Sequence, residues 1–242
     1  PFIVPLVARA DVKRYAVEAL KQLAPRISGQ LLDGLLDPQE EFIIRRRLPQ
    51  VVAVCDDPRV AAGLLQAFSD KRFEVRYKSG IALARILAKH PDIPVDRDLV
   101  FAAVLEKLKV DPYVWKDRRL LDEPDDSFAS IFEDDLLHNR IQRSMEHVFT
   151  LLSLALDRKS LKVAFRGLHT DDQMLRGTAL EYLEVILPSR ILEALRPWLG
   201  EFRPADKRRR DRESVEAELL KSSASIDLHL ENLLSGANKP LT

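Results

Sequence analysis

The chain has 242 residues, of which 46% are hydrophobic and 31% are charged, the composition of an ordinary soluble globular protein. Lysine plus arginine and aspartate plus glutamate number 38 each, so no net charge draws the chain to nucleic acid or to an anionic membrane. A single cysteine, Cys55, excludes an internal disulfide and indicates a reducing, cytoplasmic compartment.

The first predicted element is the apolar segment 2–7, Phe-Ile-Val-Pro-Leu-Val, which resembles the apolar face of a truncated helix. Because Pro1 stands where a methionine would, we expect an N-terminal region of a larger, bacterial chain to precede it. No apolar run reaches the roughly 18 to 20 residues that a membrane-spanning helix needs. We therefore expect no direct insertion of this chain into a membrane.

An apolar pattern then recurs along the chain at offsets of 0, 4, 7, 8 and 11 residues, which is one stripe of an α-helix. The five copies are Val12, Ala16, Ala19, Leu20, Leu23; Ile44, Leu48, Val51, Val52, Cys55; Val75, Ser79, Ala82, Leu83, Ile86; Ile141, Met145, Val148, Phe149, Leu152; and Leu175, Ala179, Tyr182, Leu183, Ile186. Their starts lie 32, 31, 66 and 34 residues apart. The spacing is typical of a two-helix repeat, with about 30 extra residues in one interval.

A shorter apolar helix is predicted ahead of each of the later copies, so that the unit is helix, tight turn, helix. The turns carry Asp37-Pro38, Ser69-Asp70 and Thr170-Asp171-Asp172, residue types that cap helices. One hairpin of this length cannot bury its apolar stripe alone, whereas stacked hairpins share a core. The predicted fold is therefore all-α, an α-α superhelix of about five hairpins that occupies residues 1–200.

Arginines follow the repeat starts at offset 1, as Arg45, Arg76 and Arg176, and Asp70 precedes Val75 by five residues. This aspartate followed by valine-arginine resembles the signature of HEAT repeats. The longer strings 70–77 and 165–172 resemble those of large bacterial HEAT-repeat proteins, some of which resemble nucleotide transporters with a membrane region ahead of the repeats. The resemblance implies a HEAT/armadillo-like solenoid that binds partners, and no catalytic residue.

These arginines form a predicted ladder with aspartates of the turns. The full set is Arg45, Arg76 and Arg176 with Asp37, Asp70 and Asp171. One interpretation is an anion-binding groove. The other, which we favour, is structural, because a guanidinium can satisfy carboxylates and turn carbonyls of adjacent repeats at once.

The long interval contains an inserted loop at about residues 110–135. Its candidate partner-binding residues are Tyr113, Trp115, Arg118, Arg119 and Phe128. Aromatic side chains with arginine are typical of interface hot spots, and long loops in compact domains are often functional. The alternative is a loop whose aromatic side chains pack back onto the repeats.

The C-terminal part divides into a charged linker, 201–213, and a capping helix with a tail, 214–242. The linker includes the basic run 207–210, which could touch phosphates, but neighbouring acids favour a solvated segment. Val215, Leu219 and Leu220 indicate the helix, with a break near Ser222 to Ser225.

No catalytic, cofactor-binding or metal-binding set emerges. Asp134, Asp135 and His138 could share a helical turn, but His147 would face the opposite side. Cys55 occupies a core position of the repeat, so a buried thiol is expected.

The sequence therefore predicts a non-catalytic protein-protein interaction scaffold, or a regulatory repeat domain, without a cofactor. Its partner would be another protein or the N-terminal region of the same chain. One alternative is the cytoplasmic tail of a membrane protein resembling a nucleotide transporter. A nucleic-acid-binding HEAT-like module is a further alternative, which the balanced charge disfavours.

Overall fold

The computed structural model describes residues 2–109, 140–170, 172–199 and 211–221. Within these ranges every regular element is a helix and there is no strand, so the prediction of an all-α protein is confirmed. The chain forms two compact units, Pro1–Ala155 and Leu156–Thr242. Their boundary lies inside the range 1–200 that the sequence predicted as one array.

The first unit begins with a 3-10 helix, Val4–Ala8, and continues with seven α-helices among its described residues. They are α1 (Lys13–Leu36), α2 (Phe42–Arg45), α3 (Leu48–Val52), α4 (Pro58–Gln66), α5 (Phe73–Lys89), α6 (Arg97–Leu108) and α7 (Arg140–Leu152). A 3-10 turn, Ala67–Ser69, follows α4. The second unit contains α8 (Arg158–Leu168), α9 (Gln173–Ile186), α10 (Ser189–Leu199) and α11, residues 212–221.

Aspartates cap the start of α4, α6, α8 and α9, as Asp211 does for α11. Asp57, Asp96, Asp157 and Asp172 precede α4, α6, α8 and α9, and each carboxylate accepts a hydrogen bond from a backbone N–H of the following turn. These N–H groups have no partner inside the helix, and a negative charge is favourable at a helix N-terminus. The short polar turns between the apolar stripes therefore set the register of the helices.

Helix α1 is longer than the sequence predicted, because it joins the first repeat stripe to the shorter apolar stretch that follows it. The helix contains Pro25, and its backbone leaves the helical conformation at Ile27, with φ −126° and ψ 21°. A proline inside a helix lacks the N–H for one hydrogen bond and crowds the preceding turn. The two predicted helices are thus two segments of one kinked helix.

The second repeat stripe is divided between two short helices, although the sequence predicted one. Helix α2 ends at Arg45 and α3 begins at Leu48, with Pro49 in its first turn. Pro49 cannot donate to the carbonyl of Arg45, so a continuous helix would lose a hydrogen bond there. Ile44 and Val51 are nevertheless both buried, so the stripe still faces the core.

The helices of the first unit pack in a regular order. Helix α1 packs against α3 and α4, α3 and α4 pack against α5, and α7 packs against α5 and α6. Fully buried apolar side chains from successive helices fill the centre: Leu35, Leu48, Leu64, Leu83 and Val148. The apolar stripes of neighbouring helices thus supply one another's buried surface.

In the second unit α9 packs closely against α8 and also contacts α10. The closest approach is at Gly167, where an added Cβ would lie 3.0 Å from the Cβ of Ala179. Helix α11 begins at residue 212, two residues before the predicted boundary, and the side chain of Asp211 accepts a hydrogen bond from the backbone N–H of Ser214 at 2.9 Å. Its Val215 side chain is fully buried. The part of the predicted C-terminal helix beyond residue 221 lies outside the described residues.

Candidate functional site

A cleft of about 980 Å³ opens in the first unit between α4 and α6. Its walls are formed largely by apolar side chains of these two helices: Ala62, Leu65, Leu99, Ala102 and Ala103. Leu99, in the first turn of α6, is 57% exposed. The cleft therefore presents apolar surface to whatever enters it.

The cleft exists because α4 and α6 are not in close contact, whereas α1 and α4 are. Small side chains line the gap where larger ones would close it, with Ala62 on one wall and Ala102 on the other. Helices α5 and α7 pack against each other and form the floor. An opening between two helices over a packed floor is a common site for ligands and for partner helices.

Three cationic or titratable side chains from three helices meet at this floor. They are Arg76 on α5, Lys107 on α6 and His147 on α7. The Phe73 ring joins them: the Lys107 ammonium lies 4.3 Å from the ring centroid, the Arg76 guanidinium carbon lies 5.9 Å from it, and the imidazole meets it edge-on at 5.7 Å. A cation over an aromatic face is attracted by the ring electrons, which partly replaces lost hydration.

The positive charges at the floor disfavour one another. Burial, together with the charge of Arg76, lowers the pKa of Lys107 to about 7. Burial also lowers the pKa of Arg76, an effect that nearby Asp70 partly offsets. The pKa of His147 is held well below its usual range by burial first and then by Lys107 and Arg76. The imidazole is therefore neutral at pH 7, while Lys107 can exchange its proton near that pH.

His147 is packed on several sides by helix α5. Its ring lies 5.9 Å from that of Tyr77, whose hydroxyl donates to Glu146 at 2.9 Å. Gly80 faces the imidazole, and an added Cβ there would come within 3.4 Å of the ring. Although the side chain is buried, its Nδ1 has no hydrogen-bond partner among the described residues. A buried polar atom without a partner costs free energy, which the packing of the ring against α5 must offset.

The carboxylates around the cleft are engaged in contacts of their own. Asp70 pairs with Arg45 and contributes only its backbone carbonyl to Arg76. Asp96 accepts hydrogen bonds from the first turn of α6, and Glu106 forms an ion pair with Lys109. These three acids therefore stabilise the helices around the cleft.

The structure places most of the predicted arginine ladder in contacts with turns. Arg45 donates to the carbonyl of Leu35 at 3.0 Å and to the Asp70 carboxylate, and Arg76 donates to the Asp70 carbonyl. In the second unit Arg176 donates to the carbonyl of Leu199 at 2.9 Å. Arg76 alone among the three arginines also lines the cleft. Asp171 lies outside the described residues.

The predicted partner-binding residues of the insertion, Tyr113, Trp115, Arg118, Arg119 and Phe128, all lie outside the described residues. The same holds for Asp134, Asp135 and His138, which the sequence raised as a metal set. Their roles stay predictions. Among the described residues, no group of three or more potential ligands is arranged to hold a metal ion.

Lys107 was not predicted as a site residue from the sequence, and neither was its approach to His147. Lys107 and His147 both lie more than thirty residues after Arg76 in the sequence. Only the packing of α5, α6 and α7 brings the three side chains together. The available signal was weak: Lys107 falls between the apolar residues Val104 and Leu108 on α6. A lysine there is more often read as one that extends to solvent.

A second polar contact occurs in the second unit, where Ser160 on α8 donates to Glu216 on α11. The buried Tyr182 hydroxyl lies nearby, and its pKa is raised mainly by burial. Cys55 is buried, as its repeat position predicted, and burial with the nearby Asp56 and Asp57 raises the pKa of its thiol. The Ser160–Glu216 contact connects α8 to α11, and none of these groups lines the cleft.

No helix within the described ranges has the length and apolar character needed to cross a bilayer. No family model matches this chain, and neither the curated proteins nor the solved structures provide a significant match.

Proposed function

We propose that this chain is a non-catalytic, HEAT-type interaction domain that holds a segment of another protein in the cleft between α4 and α6. The observation that carries the proposal is the cleft itself, which has apolar walls on two helices and a packed floor. The site of action would be the cytoplasm.

The packing order of the first unit supports a solenoid. Helices α1 and α4 pack side by side in one row, and α3, α5 and α7 pack in succession in a second row. Stacked helical hairpins produce such rows. We propose the same hairpin arrangement within the second unit, which gives about five hairpins in all, with α11 as the capping helix. A solenoid uses the open surface between its repeats for recognition.

The form of the cleft favours a peptide or helix as its occupant. Exposed leucine and alanine side chains can receive the apolar face of an amphipathic helix, whose side chains enter such grooves at helical spacing. The volume of about 980 Å³ lies at the upper end of the range for small-molecule sites, which is about 300 to 1,000 Å³. An elongated occupant with a few apolar side chains fits these walls better than a compact polar metabolite.

The proposal is tested by blocking the cleft in the full chain. A photo-crosslinking residue at position 102 identifies the partner in cells, and the same residue at exposed Gln22 on α1 is the control. The purified partner is then titrated against wild type, Ala102→Trp and Gln22→Trp. We expect the indole at position 102 to weaken binding by about tenfold or more, since it fills space that the partner occupies. Equal affinity for all three proteins would contradict the proposal.

A further inference from the structure

We propose that the cleft between α4 and α6 binds a basic amphipathic helix, whose apolar face enters the cleft and whose lysine or arginine side chains reach Asp96 and Glu106 at the two ends of the α6 wall. The inference rests on the proposed function and specifies the partner segment: its conformation, its length and the sign of its charge. The apolar walls alone require none of these three properties.

The first argument is the length of the walls. Along α4 and the 3-10 turn that follows it, the lining residues extend from Pro58 to Ser69. Along α6 they extend from Asp96 to Lys107. Both walls span the same number of residues, which corresponds to about three turns, or about 16 Å, of an α-helix. A docked helix of about three turns therefore contacts the whole of both walls.

The second argument concerns the kind of surface that the walls present. Both are helices, whose backbone groups bond within the helix, and the described part of the chain has no strand edge to which an extended segment could add. Recognition in the cleft therefore runs through side chains. The apolar lining residues of α6 are Leu99, Ala102 and Ala103, at offsets of 0, 3 and 4 residues, which is one helix face. Side chains of a second helix can pack between them.

The third argument is the sign of the exposed charges. Asp96 and Glu106 both line the cleft and are exposed. Asp96 accepts hydrogen bonds through Oδ1 from the backbone N–H groups of Asp98 and Leu99, and bonds to neutral groups leave its negative charge in place. Glu106 pairs with Lys109, but the two side chains are 68% and 67% exposed, and such a pair contributes little stability. Both carboxylates are therefore accessible to basic side chains of a partner.

The basic residues that line the cleft belong to its packed floor. Lys107 is 5% exposed, and its ammonium lies 4.3 Å from the centroid of the Phe73 ring. Arg76 donates to the backbone carbonyl of Asp70. The exposed charged residues of the lining are thus acids. They attract a basic segment, and they repel an acidic segment or a nucleic-acid phosphate.

The positions of the two acids set the spacing of the bases on the partner. Asp96 and Glu106 are ten residues apart on α6, which is a rise of about 15 Å along the helix. A helix docked along α6 contacts both acids if two of its basic residues are also about ten positions apart. Apolar residues at helical spacing between them would meet the walls. The inference therefore predicts a sequence pattern in the partner.

The crosslink at position 102 tests this pattern directly. Mass spectrometry of the attached segment should identify an amphipathic stretch with two lysines or arginines about ten positions apart. A segment with acids at the flanking positions, or one without helical periodicity, would overturn the inference.

Two synthetic peptides test the sign of the charge. Each is about 16 residues long, with leucines at helical spacing, and they carry either lysines or glutamates at two positions about ten residues apart. Binding to the full chain is measured by fluorescence anisotropy. At low salt we expect the lysine peptide to bind about tenfold more tightly than the glutamate peptide, and this ratio should fall at high salt because exposed charges are screened. Equal affinities, or no binding of the lysine peptide, would overturn the inference.

Asp96→Asn combined with Glu106→Gln removes both negative charges, and asparagine still caps α6. The matched control is Asp172→Asn combined with Glu18→Gln. Asp172 caps α9 through two backbone N–H groups, Glu18 pairs with Lys21 on α1, and neither acid lines the cleft. Affinity for the lysine peptide should fall about fivefold in the first double variant and stay unchanged in the control. Full affinity in the first, or an equal loss in both, would contradict the assigned contacts.

The two proposals fail in different ways. If Ala102→Trp weakens binding of the crosslinked partner but the crosslinked segment is acidic, the cleft docks a protein and the basic-helix inference is wrong. If the lysine peptide binds through Asp96 and Glu106 while Ala102→Trp leaves partner affinity unchanged, the preference for a basic helix stands and the proposed function is wrong.

Discussion

Arg45, on α2, pairs through its guanidinium with the carboxylate of Asp70, which lies 25 residues further along the chain in the turn before α5. Both side chains are nearly buried, at 7% and 11% exposed. The same guanidinium donates to the carbonyl of Leu35 at the end of α1. One side chain thus ties together three segments that follow one another in the first unit.

Asp70→Asn should destabilise the first unit. The amide keeps the short side chain that accepts from the backbone N–H of Arg72, at 2.7 Å in the wild type, but it leaves the buried Arg45 charge without its counter-charge. We expect a loss of about 1.5 to 3 kcal/mol in the free energy of unfolding, the range for a hydrogen bond to a charged group. Urea denaturation measures it. Asp11→Asn, in the exposed pair with Arg9, is the control and should have no effect.

Replacing either of two glycines of the second unit by alanine should change the stability of the protein, but in opposite directions. At Gly167 on α8 a Cβ would meet the Ala179 Cβ at 3.0 Å and the backbone carbonyl oxygen of Leu175 at 3.3 Å, so Gly167→Ala should destabilise by about 1 to 3 kcal/mol. At Gly177 on α9 nothing lies within 4 Å. Gly177→Ala should therefore stabilise by up to about 1 kcal/mol through helix propensity. Thermal unfolding of both variants checks the signs, and equal shifts would contradict the close α8–α9 approach.

Stability should fall in mild acid because of His147. The unfolded chain binds a proton at this imidazole near pH 6.5, whereas the folded chain, with its pKa held well below that value, does not. The free energy of unfolding therefore decreases by up to about 1.4 kcal/mol per pH unit below pH 6.5. Lys107 acts in a different pH range, because its pKa is about 7 in the folded chain and higher in the unfolded chain. Between these two pKa values the unfolded chain binds more protons, so stability rises with pH.

Urea denaturation of wild type and His147→Phe between about pH 7.5 and about pH 5 isolates the histidine contribution. Phenylalanine retains an aromatic ring beside Phe73 and Tyr77 but takes up no proton. As the pH falls, the free energy of unfolding should decrease more in the wild type than in His147→Phe. Parallel pH dependences would show that folding does not lower the pKa of His147, contrary to the expected effect of burial.

Deletion of residues 112 to 130 tests the partner-binding role predicted for Tyr113, Trp115 and Phe128 from their residue types. If the insertion recognises the partner, the deletion should abolish retention of the crosslinked protein at low salt, with the fold unchanged by circular dichroism. Undiminished retention would assign recognition to other parts of the chain. Retained nucleic acid that is lost at higher salt would favour the nucleic-acid alternative.

Much of the fold could be predicted because apolar periodicity is local information. Val75, Ala82 and Leu83 occur at the spacing of one helix face, and all three are fully buried in α5. The first stripe was predicted less well: Leu23 is 37% exposed, although it occupies the same offset as buried Ile86. An end stripe has a neighbour on one side only, so its outer residues stay accessible.

The site could not be predicted in the same way, because it depends on distant residues. Arg46 and Arg47 are buried, contrary to the usual behaviour of arginine, since Glu74 and the carbonyl of Val7 receive their guanidinium groups. The position of Lys107 likewise follows from the gap between α4 and α6, which no pattern within α6 encodes. The spacing of residues along one helix does not predict contacts between residues on different helices.

The run Arg45-Arg46-Arg47 has a consequence for how the first unit comes apart. Its three guanidinium groups reach, in turn, Asp70, Glu74 and the backbone of the N-terminal 3-10 helix. Fraying of either flank would break a hydrogen bond of a buried positive charge, which costs more than the loss of the contacts of an ordinary helix end. The unit should therefore unfold in a single cooperative transition, with the amide hydrogens of its terminal and central helices exchanging at similar rates under denaturing conditions.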